Sequence, residues 1–420
     1  MPGHGMSRQK NTTIPSDALK ERYGNDGNLL KIYLDICRCL SGRCEEADWK
    51  EYSDADWQLF ERLVLEEGVA ALINSKKSDL KPLIDRIPLE SWLKFSTMRV
   101  RIRYTNEMRY KELSGNVFPA VLPQFQPVIM LKGSALALAL YEDISLRDMC
   151  DTDLLVRQEF LDQASDMLKE AGYRIFIESI THLRPVSSTL IEDKHLSLKK
   201  QGAKGQLIEL HWRLVNLYHK KDFDLDSWFF EHIMPIEDDG TFKNVSGLYM
   251  LSHTAALAHQ VLHIYFCHNI AASSLFHFYE TYFMAQKWRD LIDWDELSYI
   301  FDKLGLGEIL LLASDMSEEL FGAALPLRVP AGSDSNTFIL KLRSQPMKTS
   351  AAKTLYIIKE LPFREKLKFV LEAVFPPPEY MKKRYINKKR VSLPFLYLRR
   401  FSDGLKDFPK FVRALRAKRS

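Results

Sequence analysis

The sequence predicts an α+β fold, a small mixed sheet set between helical N- and C-terminal regions. Three observations carry that expectation. Residues 127–156, PVIMLKGSALALALYEDISLRDMCDTDLLV, read as a strand, a Gly-Ser turn, a helix, an acidic loop and a second strand. Further β-like runs follow at 173–177, 196–198 and 205–214. On both sides of this core, apolar residues recur every three to four positions, the period of helices with one buried face.

Taken in order, Ser16 and Asp17 are candidate caps for a helix running into NLLKIYLDICRCL, and Ser53 and Asp54 for ADWQLFERLVLEEGVAALINS. Pro88 opens a helix through WLKFSTMRVRIRYTNEMRYKEL that is expected to end before Pro119 and Pro123. Arg101, Arg103 and Arg109 on it read as a solvated basic face. In the core, 131 to 141 turns from strand to an Ala/Leu-rich helix. Residues 158–171 form another, with Phe160, Ala164, Met167 and Leu168 on one face and Gly172 closing it. From 217 to 378 the texture is helical again, GLYMLSHTAALAHQVLHIYFCHN included, with a loop at AGSDSN (331–336). Four regions result: helical 1–105, core 106–216, helical 217–378 and a basic amphipathic tail 379–420.

At 420 residues, 46% hydrophobic and 27% charged, the composition is that of a globular chain with room for two or three domains. No run approaches 18 apolar residues, which argues against a transmembrane segment, and the polar start MPGHGMSRQKNTTIPSD lacks the apolar stretch of a secretory signal. The odd number of cysteines, at 37, 39, 44, 150 and 267, points to a reducing cytoplasm. Cys37, Cys39 and Cys44 lack the paired spacing of a zinc site and read as buried cysteines. The net charge of +4 divides unevenly: residues 381–420 carry +12 and the remainder −8. The tail interleaves Phe, Leu and Tyr with Arg and Lys. It suits packing on the acidic body, peripheral contact with an anionic membrane, or contact with nucleic acid or a protein.

The chemistry concentrates in the core. Residues i and i+2 of a strand share a face, so Asp151 and Asp153 would project together roughly 7 Å apart along the backbone. That separation suits two carboxylates bracketing a pair of divalent ions, the arrangement used for in-line displacement at phosphorus. Glu209 lies between Ile208 and Leu210 on an apolar strand, where an acid is costly unless it is paired or ligates a metal. Singly, Asp148, Asp151 and Asp153 also fit turn and cap positions. Together with Glu209 and the Gly-Ser turn they fit a metal centre, with Asp148 in support. Lys132, Gly133 and Ser134 would hold a triphosphate: Gly admits close backbone approach, Ser134 adds a hydroxyl, and the following helix presents its N-terminus to anions. Arg147 offers a guanidinium to phosphate oxygens or to a surface salt bridge.

LKGSAL (131–136), RDMCDTDLLV (147–156) and IELHWRL (208–214) resemble the bacterial uncharacterised nucleotidyltransferase family, within the DNA polymerase β-like nucleotidyltransferase superfamily. Its pattern is LKG-x-A, then R-x-x-x-D-x-D-L-L-V, then an acid before L-H-W-R. The resemblance is densest from about 125 to 215. It implies a polymerase β-type core and Mg²⁺-dependent transfer of a nucleoside monophosphate from a nucleoside triphosphate, ATP by default, with release of pyrophosphate. Two Mg²⁺ ions, Mn²⁺ being an acceptable substitute, would be held by Asp151, Asp153 and Glu209; the family also has an arginine at position 147. The acceptor is not specified: a small molecule, a peptide or a protein. A histidine-rich helix follows in the family, here with His259 and His263 on one face, either lining the cleft or packed. The family's next helix reads L-R-W-x-x-D; here LFHFYET puts Phe276 in the arginine's place and Glu280 in the aspartate's. That departure supports the rival class, a catalytically silent nucleotide-binding or partner-docking scaffold.

Overall fold

The computed structural model describes residues 28–76, 87–175, 195–200, 207–215, 223–236, 247–265, 273–327 and 392–400, apart from Asp48 and Phe125, together with positions 23, 378, 381 and 402. Ser16, Asp17, the 331–336 loop and most of the basic tail lie outside the described residues.

The first elements among the described residues are helical. α1 (Leu29–Leu40) buries Leu29, Ile32, Ile36 and Leu40 along one face. α2 (Asp54–Glu66) opens on a reciprocal cap: the Ser53 hydroxyl accepts from the Asp56 amide, and the Asp56 carboxylate accepts from the Ser53 amide. A short α3 (Ala70–Ser75) leads to α4 (Leu89–Glu112), which starts directly after Pro88. The helical path does not stop before Pro119. It widens through a π turn at Leu113–Val117 and continues as α5 (Phe118–Val121), where Pro119 occupies a first-turn position that needs no amide donor.

The core then alternates. β1 (Val128–Met130), α6 (Lys132–Ala139), β2 (Thr152–Leu155), α7 (Leu161–Glu170), β3 (Tyr173–Ile175), β4 (His195–Lys200) and β5 (Leu207–His211) follow one another. α8 (Leu225–Glu231), β6 (Ile233–Pro235), β7 (Leu248–Leu251), α9 (His253–His263), α10 (Leu275–Lys287), α11 (Trp294–Lys303) and α12 (Gly307–Phe321) complete the sequence. Among the described residues seven strands form one mixed sheet in the order β3-β4-β5-β2-β1-β7-β6. β2 runs parallel to β5 and β1 parallel to β7; the other neighbours are antiparallel.

β6 and β7 correct the helical reading of 217–378. Leu248–Leu251 pairs along β1, and α9 starts only at His253, where the Ser252 hydroxyl accepts from the Ala255 amide. The division expected at 216 falls within this sheet, and the one at 105 falls within α4. β1 is central, and Val128, Ile129 and Met130 are fully buried, as a strand covered on both faces requires. The strand just before the Gly-Ser turn is therefore fixed on every side.

Candidate active site

The turn after β1 is abrupt. The Leu131 amide still donates to the Asp153 carbonyl at 3.0 Å, extending the β1–β2 pairing by one residue. Lys132 then adopts φ +43°, a left-handed conformation that costs a non-glycine residue about 1 kcal/mol or more and that concentrates at functional sites. α6 starts there with Leu131 at its N-cap, so no side chain caps its first-turn amides. Ser134 is 1% exposed, and its Oγ has no hydrogen-bond partner. A buried hydroxyl left so costs about 1–3 kcal/mol. Its carbonyl is satisfied by the Tyr110 hydroxyl at 2.8 Å. At Gly133 an added Cβ would lie 3.0 Å from both Arg147 Nη1 and Met149 Cγ, so glycine lets the acidic loop close over the turn.

α4 holds that loop, and here the reading of a solvated basic face, which Arg101 and Arg103 keep, is corrected for Arg109. Asn106 Nδ2 donates to the carbonyls of Ile144 (2.7 Å) and Arg147 (2.8 Å). Arg109 is buried, and its Nη1 donates to the Met149 carbonyl at 3.0 Å, two residues before Asp151. Arg99 and Arg103 both bind Asp143. Arg101 stays exposed, 3.8 Å from Asp148. The spacing held a signal: Ile102, Asn106, Arg109 and Tyr110 are one buried helix face, to which Arg101 and Arg103 do not belong. Asp148 accepts from the Met149 amide.

Asp153 and Glu209 are direct partners in the parallel β2–β5 register, so their side chains leave the same face. Asp151 sits just before β2 and shares that neighbourhood. Burial, then the charges of Asp153 and Glu209, push its carboxyl up to about 6 against the pull of Lys132 and Arg109. Asp153 behaves oppositely. Burial works to raise it, yet the Lys132 charge and the His211 hydrogen bond hold it well below the usual carboxylate range. Lys132 Nζ lies 2.8 Å and His211 Nε2 2.7 Å from Asp153 Oδ1. His211 Nε2 is also 3.6 Å from Glu209 Oε2, and Ser197 Oγ donates to Glu209 Oε1 at 3.3 Å. Ligand atoms of Asp153, Glu209 and His211 all lie within 4.8 Å of one another, a spacing from which one ion is reachable. His211 was not among the expected site residues. Its position two residues beyond Glu209 on a strand was the available signal.

Arg147 goes elsewhere. While packing against Gly133, it places Nε 2.9 Å from Glu280 Oε1 and Nη2 3.0 Å from Glu280 Oε2, and its Nη1 donates to the Asp148 carbonyl. Phe276 packs its ring 4.9 Å from the same guanidinium. The departure noted in LFHFYET thus forms a receptacle for Arg147. Gln260 and Tyr141 donate to the two oxygens of Glu280, at 3.3 and 3.2 Å. His259 is buried edge-on to Phe229 and, with Lys132, Met250 and Gln260, lines a cavity of about 10 Å³.

A family model described as an uncharacterised nucleotidyltransferase matches residues 53–322. The match runs from the Ser53 cap of α2 to Gly322, the left-handed residue that ends α12, and so spans the whole sheet. No curated protein and no solved structure matches the chain.

Proposed function

Because the chain belongs to the uncharacterised nucleotidyltransferase family, we propose that it transfers a nucleoside monophosphate from a nucleoside triphosphate, ATP by its abundance, to an acceptor oxygen. The acceptor oxygen forms a bond to the α-phosphorus, the bond to pyrophosphate breaks, and the acceptor proton passes to one of the site carboxylates. The order β1–turn–α6–β2, with a third acid on β5, supports a polymerase β-type core. The observation that carries the reading is the pairing of Asp153 with Glu209 across the β2–β5 register, with Asp151 feeling the charge of both, beside a helix start with an unpartnered buried hydroxyl.

The residues present fit divalent metal. Three carboxylates outnumber Lys132 and Arg109 around them, and such an excess of buried negative charge is stabilised by a cation. Asp151, Asp153 and Glu209 would hold Mg²⁺, which when bound stabilises the entering and leaving oxygens. The uncapped amides of α6 and Ser134 Oγ would bind the triphosphate, and Lys132, on a four-carbon stem, reaches phosphate oxygens from Asp153. Arg147 acts through position: it props Gly133 and anchors the loop that carries Asp151 to α10.

The test is mass spectrometry of the full chain incubated with ATP, GTP, CTP or UTP, Mg²⁺ and cell extract. We expect pyrophosphate and one nucleotidylated product, both lost by several orders of magnitude in Asp153→Asn with the fold unchanged by circular dichroism. Nucleotide binding without pyrophosphate release, for all four donors, would instead favour the silent scaffold.

A further inference from the structure

His211 follows Glu209 by two residues on β5, and strand alternation turns both side chains to one face. Across the β2–β5 register Asp153 stands opposite Glu209, which brings an imidazole and two carboxylates from two strands onto one point. His211 Nε2 lies 2.7 Å from Asp153 Oδ1 and 3.6 Å from Glu209 Oε2, and all three ligand atoms fall within 4.8 Å of one another. Around one ion with bonds of about 2.1 Å, neighbouring ligand atoms stand about 3.0–3.4 Å apart. The observed separations straddle that range, so the three groups need only small adjustments to share an ion. His211 is 2% exposed and closes β5 on the same face as Glu209.

We propose that His211 is a direct metal ligand beside Asp153 and Glu209, making one position of the centre a mixed nitrogen and oxygen site that prefers Mn²⁺ to Mg²⁺. This rests on the metal-dependent reading of the carboxylates. Mg²⁺ takes oxygen donors and retains its waters, whereas imidazole suits the first-row transition ions. Asp151 and Asp153 would supply oxygen donors alone to the second position. The rival role for His211 is to orient Asp153 by its hydrogen bond, as residues behind a metal ligand do.

Pulsed electron paramagnetic resonance of Mn²⁺ on the full-length wild-type chain separates the two roles. We expect ¹⁴N couplings of a bound imidazole; a Mn²⁺ signal with no directly bound nitrogen overturns the assignment. Calorimetric titration gives the second readout. His211→Asn should weaken Mn²⁺ binding by about tenfold or more, with Mg²⁺ changed less than about twofold; equal losses for both ions overturn the selectivity. The wild-type spectrum decides alone if the variant does not fold. Mn²⁺ affinity unchanged in Asp153→Asn would remove the carboxylate centre itself, a failure of the proposed function and not of His211 in particular.

Discussion

Two buried charge clusters share the first turn of α6, one through Gly133 and the other through Lys132, and they are built differently. In the first, Arg147 meets Glu280 at two points, Gln260 and Tyr141 complete the carboxylate, and the Asp148 carbonyl takes Nη1. Charge balances charge and each oxygen of Glu280 accepts two donors. In the second, Asp151, Asp153 and Glu209 face Lys132, with Arg109 behind the loop and His211 on Asp153. Acids are in excess. A closed pair in a protein interior contributes shape and orientation, while an open one leaves a repulsion that only an external cation relieves. The first cluster is therefore architecture, and the second is the one the proposed function takes as its metal site.

The largest effect should come from opening the closed cluster. Glu280→Gln leaves Arg147 buried without its counter-charge, and breaking a buried pair costs about 3–5 kcal/mol. Urea denaturation should show that loss, and Glu280→Gln combined with Arg147→Met should recover more than half of it. If Glu280→Gln cost under about 1 kcal/mol, the contrast between the clusters would collapse.

Neutralising an acid in the open cluster should have the opposite sign. Asp151 is raised from an ordinary 3.8 to about 6, so the folded chain holds this proton more tightly than the unfolded chain. Its contribution to stability is complete below about pH 4 and is lost as pH rises through about 6. Asp153 is lowered, so its contribution is present above 3.8 and disappears only as pH falls through a still lower value. The two windows do not overlap. With divalent ions chelated, Asp151→Asn should raise the melting temperature by a few degrees at pH 8 and flatten the decline between about pH 4 and 6. A lower melting temperature at pH 8 would mean that Asp151 is a satisfied structural acid.

The smallest effect belongs to Ser134. Because its hydroxyl has no partner, Ser134→Ala should leave stability unchanged or raise it by up to about 1 kcal/mol, while Mg²⁺-nucleotide affinity falls about tenfold in a fluorescent-nucleotide titration. A stability loss above about 2 kcal/mol would place the hydroxyl among the structural groups and leave the proposed triphosphate site with the α6 amides alone.

What the sequence determined by itself was local. The strand and helix at 128–139 follow from a short apolar run meeting small residues, although the turn falls at Lys132 and Gly133 and Ser134 open the helix; Asp153 lies on the expected strand and Asp151 just ahead of it. The Ser53 cap and the Gly172 stop, at φ +92°, are equally local. Glu209 was legible because an acid on an apolar strand asks for a partner. His211 is legible by the same alternation, two residues beyond Glu209. Tertiary structure decided the rest. β7 is four residues long and borders a helix, so its pairing with β1, some 120 residues earlier, and with β6 on its other side is what makes it a strand. Arg109 differs from Arg101 only in the face it occupies, and burial of that face depends on the loop it meets. Arg147 was free to bind phosphate or a carboxylate until α10 delivered Glu280 from 133 residues away. Periodicity along a chain fixes which residues share a face; which charges then meet, and whether they close or stay open, is set by contacts between segments that carry no sequence signal of each other.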